Sequence, residues 1–401
     1  MPDFWAWVMY RQPDMIDIRE NKAEPDWRGR RIVHVLAGLG LGGTEALCRS
    51  IVSAGRAASG LDGRIVALAG GEPSQVGAFE SASGHLVEVL PFPPAHRARM
   101  MAWFVRYFRR VQPDGIIVYA FGLPHILIAL AARIAGAGPI VVSAGNTAPE
   151  DAKNRRKWAA ILRLSRVLGV RIVSASQAIE SSLAELGAPL PAGSCVIHNG
   201  CDIDAIAAEA GAAQVQRKSS GPLIAGMVAR IDAIKDHVTL LDAWARLYRS
   251  CVSGNRELWI IGDGELKGEL EMQARSLTID GSVRFLGARS DIPRLLGQMD
   301  VFVLATGAAE GFGIVLIEAM AAGLPIIASD VPACREVIGG EGAGILVEPH
   351  SPQMLAEALE SLFADSKRRA GLASSGEKRV RAHFNSAATA RAYSEVALAI
   401  G

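Results

Sequence analysis

The chain has 401 residues, half of them hydrophobic, with 42 Lys and Arg against 41 Asp and Glu and a net charge of +1. That length accommodates two domains, each able to bury its own core. The balanced charge excludes a globally acidic or basic partner, and no nucleic-acid motif accompanies it. Five cysteines (Cys48, Cys195, Cys201, Cys251, Cys334) are dispersed without C-x-x-C or metal-ligand spacing. They read as reduced thiols of a cytoplasmic protein with no zinc or iron site and no required metal.

Residues 1–29 lack the positive start and long apolar core of a secretory leader. They read as an irregular N-terminal extension, a loosely docked arm, with a membrane-touching segment through Phe4, Trp5 and Trp7 as the alternative. From Arg31 onward, short apolar β-type runs alternate with helical stretches, the pattern of parallel sheets covered by helices on both faces. Residues 30–200 form the first such domain, with strands expected at Ile32–Ala37, Arg64–Leu68, Gly115–Tyr119, Ile140–Val142 and Ile172–Ser174. It carries 18 bases against 10 acids, whereas residues 201–401 carry 20 against 25.

After the first strand, Gly38-Leu-Gly40-Leu-Gly42-Gly43-Thr44-Glu45 opens a helix and contains G-x-G-x-x-G. A dinucleotide-binding fingerprint expects an acid at the end of the second strand, and here Glu72 arrives late. His96–Arg110 holds five arginines, no acid and interleaved aromatics, and Lys153–Arg171 adds seven bases without an acid. A basic amphipathic helix suits an anionic membrane surface; a solvated helix face is the other reading. Gly115–Ala132 is uncharged over the minimum length of a membrane span, but Gly122-Leu-Pro124 interrupts it, so it reads as strand, turn and buried helix. His125 begins that helix at the end of the sheet where ligands bind, so it holds either a ligand group or the local structure.

Residues 201–221, Ala-, Ser- and Gly-rich, read as a linker, with Asn199-Gly200-x-Asp202 as a hinge turn rather than a D-x-D metal site. The second domain, 222–376, repeats the alternation, with strands at Leu223–Met227, Leu258–Ile261, Val283–Phe285, Val301–Leu304, Ile326–Ala328 and Gly344–Val347. Ligands of such sheets bind beyond the carboxyl ends of the strands. There, Arg230 and Lys235 stand five apart, a planar fork and a point charge that suit a diphosphate. Gly262-Asp-Gly264 makes a tight turn after the next strand. Finally, Glu310-Gly-Phe-Gly-Ile-Val-Leu-Ile-Glu318 sets two glutamates eight positions apart around a Gly-Phe-Gly turn and a helix expected from about Ile314 to Gly323. Gly311 and Gly313 allow close backbone approach at a helix N-terminus that favours anions.

This last stretch, with Ala319-Met-Ala-Ala-Gly-Leu-Pro325 after it, resembles the E-x7-E motif of retaining GT-B glycosyltransferases, family 4. Gly226-x3-Arg230-x4-Lys235, the Gly262/Gly264 turn and the glycine loop at Gly42-Gly43 resemble further segments of that family, over roughly residues 31–385. The resemblance implies two Rossmann-like domains facing across a cleft, with residues 377–401 packing back toward the first. It implies transfer of a sugar from a nucleotide-diphosphate sugar, UDP-linked by preference, to a glycan or lipid-linked acceptor, with retention and with no cofactor. Arg230, Lys235 and amides near Gly311, Phe312, Gly313, Ile314 and Val315 would meet the diphosphate. Glu310 would orient the sugar, Glu318 would accept from the ribose hydroxyls, and the segment around Phe285 would lie beside the base. Many members carry a histidine after the strand expected at Ile140–Val142, where this chain has Asn146. A Rossmann oxidoreductase using NAD(P) or flavin and a non-catalytic GT-B module are the alternatives.

Overall fold

The computed structural model describes residues 26–40, 42–217, 221–250, 255–340 and 342–399. Residues 1–25 of the expected extension, Leu41 of the glycine loop, 218–220 of the expected linker and Cys251 lie outside the described residues. Trp27, the first aromatic inside them, is buried, and its amide is bonded to Ser59.

The first sheet comprises β1 (Arg31–Leu36), β2 (Asp62–Ala67), β3 (Glu88–Val89), β4 (Gly115–Val118), β5 (Ile140–Ala144), β6 (Arg171–Ser174) and β7 (Cys195–Val196), in the order β3-β2-β1-β4-β5-β6-β7. The second comprises β8 (Leu223–Val228), β9 (Arg256–Ile261), β10 (Val283–Gly287), β11 (Val301–Leu304), β12 (Ile326–Ser329) and β13 (Ile345–Val347), in the order β10-β9-β8-β11-β12-β13. All pairings are parallel. Strands such as Val301–Leu304 and Ile326–Ser329 are buried along their whole length, because helices cover both faces and neither face needs polar residues. In each sheet the order reverses beside the first strand, and the crevice at that point is where such sheets bind ligands. The two crevices face each other, and the architecture is GT-B.

Every strand expected from the sequence is present to within two residues at either end. The two-residue edge strands β3 and β7 are additional. Within 201–221, Ile203–Gln216 is a helix begun by the Asp202 side chain, which accepts from the Ala205 amide. It packs on helices Ile292–Leu296 and Ile314–Ala321 of the second domain. A Cβ on Gly297 would come within 2.1 Å of the Ala210 carbonyl.

The chain passes between the domains twice, and the two crossings lie side by side. The Cys201 amide donates to Phe384 O and the Ser386 amide to Cys201 O, at 3.0 and 3.2 Å. Before this bridge, helix Ser366–His383 packs on Ile314–Ala321 of the second domain, so of residues 377–401 it is the helix after the bridge, Ser386–Leu398, that packs on the first, against Gly43–Ser59 and β4. The Tyr393 hydroxyl reaches Ser143 Oγ in the first domain. Apolar packing is continuous across the interface, with Ile179 and Leu183 joining Leu316 and Ile317 in one cluster.

Candidate functional site

The site begins with two uncapped helix ends. Helix Gly43–Ser59 starts at Gly42 and helix Ile314–Ala321 at Gly313, neither with a side-chain cap. Gly313 has φ +83, a left-handed turn that a side chain resists. The ends meet across the cleft: a Cβ on Gly43 would lie 3.2 Å from Ile314 Cδ1. Two positive helix ends therefore converge, which favours a bound anion.

Beside them, Lys235 Nζ forms an ion pair with Glu310 Oε2, the side chains being 15% and 8% exposed. Glu310 Oε2 also accepts from Thr306 Oγ1 at 3.1 Å. The backbone beneath is stitched together: Gly307 N donates to Ile234 O and Asp236 N to Ala305 O, both at 3.0 Å. Two segments expected to grip different parts of a ligand thus hold each other. Arg230, by contrast, is 71% exposed, with Nη2 2.9 Å from Asp232 Oδ2.

The remaining expected residues separate by role. A Cβ on Gly262 would sit 1.8 Å from Ala229 O, and one on Gly264 2.1 Å from Ile231 O. Both glycines let their turn pack against the backbone of the Arg230 loop and so shape the site from behind. Phe312 is buried between His198 and Phe384, with ring centroids 5.8 and 5.9 Å away. Phe285 and Val315 pack partly buried against the second-domain core, Phe285 at an irregularity in the β10–β9 register.

His125 is fully buried. Its Nδ1 accepts from the Gly122 amide at 2.9 Å, and Nε2 lies 2.9 Å from Ser165 Oγ, which donates to Ile161 O. Both ring nitrogens are committed, and burial holds the imidazole neutral, with its pKa down at about 4. It orders the turn that starts its helix, and no nitrogen is left for a sugar or acceptor.

Glu318 lines a cavity of about 440 Å³ between the domains, with Arg49, Ser50 and Asp202. Burial pushes its carboxyl up to about 7, opposed by the charge of Arg49. Arg49 Nη1 and Ser50 Oγ are buried without partners, so both residues offer polar atoms there. Sequence patterns did not mark them; only their spacing on the helix that the glycine loop opens could have done so. A larger cavity, about 940 Å³, lies between the domains near Asn146, Arg155, Gln177, Ile234 and Arg335. A dinucleotide reading of Gly38–Gly43 meets an obstacle after β2. There the strand ends at Ala67 and Leu68 follows, with no acid where a ribose-binding one is expected.

Residues 212–379 match the family described as glycosyl transferases group 1. Among curated proteins, the chain is 33% identical over 215 residues to the putative glycosyltransferase EpsF of Bacillus subtilis, covering 51% of this chain and 54% of that protein. It is 29% identical over 181 residues to the lipopolysaccharide core biosynthesis glycosyltransferase LpsE of Rhizobium meliloti, covering 45% and 51%. The chain thus spans about half the length of these relatives. Among solved structures, Anabaena Alr3699/HepE in complex with UDP and glucose superimposes with a TM-score of 0.78 at 22% identity, over 91% of this chain and 98% of that one. WaaG, a glycosyltransferase involved in lipopolysaccharide biosynthesis, gives 0.70 at 17%, over 91% and 99%.

Proposed function

We propose that the chain is a retaining family 4 glycosyltransferase. It would move a sugar from a nucleotide-diphosphate sugar, preferably UDP-linked, to a hydroxyl of a glycan or lipid-linked acceptor in cell-surface polysaccharide or glycolipid assembly. The observation that carries this reading is the Lys235–Glu310 pair set beside the opposed helix ends at Gly43 and Ile314. A diphosphate placed there meets Lys235, Arg230 and two positive helix ends, charge aimed where the leaving group develops its own. The anion would draw Lys235 from Glu310, freeing the carboxylate for the sugar hydroxyls. The acceptor hydroxyl then bonds to the anomeric carbon on the face the diphosphate leaves. The carbon–oxygen bond to the diphosphate breaks, and a diphosphate oxygen takes the hydroxyl proton. No metal is invoked, because these cations and amides supply the charge.

The partner surface we propose is an anionic membrane. Helices Arg97–Val111, Leu123–Ala135 and Ala152–Val167 pack side by side and together carry 12 bases and no acid. Among the arginines, Ile134, Leu164 and Val167 are 54%, 47% and 82% exposed. Arginines around exposed aliphatics suit adsorption to acidic lipid. Arg155, on the third helix, also lines the larger cavity, which would put a lipid-linked acceptor within reach of the cleft. No helix among the described residues is long and apolar enough to cross a membrane.

The test is a thermal-shift panel of uridine-, guanosine- and adenosine-diphosphate sugars, then product analysis with lipid-linked acceptors. Stabilisation by one nucleotide and a product that keeps the donor's anomeric configuration are expected. An inverted product, or no response to any nucleotide, would refute the reading. Flotation with phosphatidylglycerol and phosphatidylcholine vesicles tests the membrane surface, with binding expected only to the former and only at low salt.

A further inference from the structure

Glu336 lies in helix Pro332–Ile338 of the second domain, outside every motif described above, yet its carboxylate is spent on the first domain. Oε1 accepts from the Gln177 amide at 2.8 Å and lies 2.6 Å from His198 Nε2, and Oε2 accepts from the Ala178 amide at 3.4 Å. The His198 and Glu336 side chains are only 16% and 14% exposed. The residue before Gln177 takes hold of the second domain elsewhere: Ser176 Oγ donates to Gly311 O at 2.6 Å. Gly311 presses against the first domain so closely that a Cβ on it would lie 2.1 Å from Gly145 O. Three consecutive residues, Ser176 to Ala178, thus grip the second domain at Glu336 and at the residue beside Glu310. The backbone that carries it is itself anchored, since Arg379 Nη2 donates to the Glu336 carbonyl at 2.8 Å.

We infer that Glu336 is a positioning residue that clasps the two domains in the closed arrangement and so fixes Gly311 and Glu310 against the first domain. A carboxylate on two free amides at a helix start gains from their partial positive charge. Opening the cleft breaks those bonds together with the His198 contact, so the clasp biases the chain toward closure before the donor arrives. Its catalytic consequence rests on the proposed transferase reading; its structural consequence does not.

The experiment is small-angle scattering of the full chain without nucleotide, for wild type and Glu336→Ala, alongside donor kinetics. The variant is expected to show a larger radius of gyration, which excess donor returns toward wild type. Its KM for donor should rise several-fold while kcat at saturating donor stays near wild type, because a ligand that bridges the domains replaces the clasp. Glu336→Gln, which keeps one accepting oxygen, should fall between the two. If Glu336→Ala does not fold, Glu336→Gln and His198→Phe carry the test, the latter keeping a ring against Phe312 and Phe384. Scattering unchanged in the folded variants overturns the inference. Opening of the variants in a protein that shows no transferase activity supports the clasp and overturns only the proposed function.

Discussion

Lys235 and Glu310, 75 positions apart in the chain, form a buried ion pair that ties the loop after β8 to the loop after β11. Removing one partner of a buried pair leaves an uncompensated charge, at a cost of about 3–5 kcal/mol. Lys235→Met should therefore destabilise the protein by about 3 kcal/mol in urea unfolding, Thr306 still serving the stranded carboxylate. Lys235→Met/Glu310→Gln should recover most of that loss, since neither charge remains. Transfer should stay down by about a hundredfold in both. A double variant that regains activity would show that the pair is structural only.

That pair also marks how far the site was legible. Both residues stand out by type and spacing, but their contact is tertiary, and the family resemblance assigned them to different parts of a ligand. Strands such as Val301–Leu304 were legible because an uninterrupted apolar run of that length has one use in an α/β fold. Glu88–Val89 and Cys195–Val196 were not, two residues being too short for any period. Helix Ile203–Gln216 was hidden by its Ala-rich composition, although Asp202 at its start was a usable capping signal. Gly262 and Gly264 drew attention as a tight turn shared with the family, and their need for glycine is real, but what approaches is the protein's own backbone. Glu336 had no local signal, because its three partners lie more than 130 positions away.

Closure of the cleft depends on the missing side chains of two glycines, and to different degrees. A methyl group on Gly311 would overlap the Gly145 carbonyl, whereas one on Gly43 would meet Ile314 Cδ1 at 3.2 Å, a contact that a small rotation relieves. Gly311→Ala should abolish transfer while both domains stay folded by circular dichroism. Gly43→Ala should cost less than tenfold. Equal losses would mean that the Gly311–Gly145 approach does not govern closure.

Arg230 and His125 should fail in opposite ways. Arg230 is largely exposed with a single acidic neighbour, so Arg230→Ala should leave the melting temperature within a few degrees of wild type and lower kcat/KM by at least tenfold. His125→Ala leaves the half-buried Gly122 amide without its acceptor and takes one bond from Ser165, whose hydroxyl still donates to Ile161 O. Buried groups left without partners cost about 1–3 kcal/mol each, so its melting temperature should fall clearly while the KM for donor holds. A rise in donor KM for His125→Ala would return the histidine to the ligand.

Glu318 makes stability depend on pH in a direction unusual for an acid. Its carboxyl titrates at about 7 in the folded protein because burial disfavours the charge, against an ordinary value of 4.5. Below pH 4.5 both states hold the proton and Glu318 contributes no slope. Between 4.5 and 7 the unfolded chain has released a proton that the folded chain keeps, so stability declines as pH rises, and the loss is complete above 7. The upper limit is about 1.4 kcal/mol per unit of displacement, lessened because Glu318 is only half-buried. Glu318→Gln should match wild type at pH 4 and be the more stable at pH 8 in otherwise identical melts. Ribose hydroxyls donating to this carboxylate would favour its ionised form, so uridine diphosphate should bind wild type more tightly as pH climbs toward 7, with proton release in calorimetry. The variant should lose both effects, and a pH dependence that survives the substitution would place the titrating group, and the ribose, elsewhere.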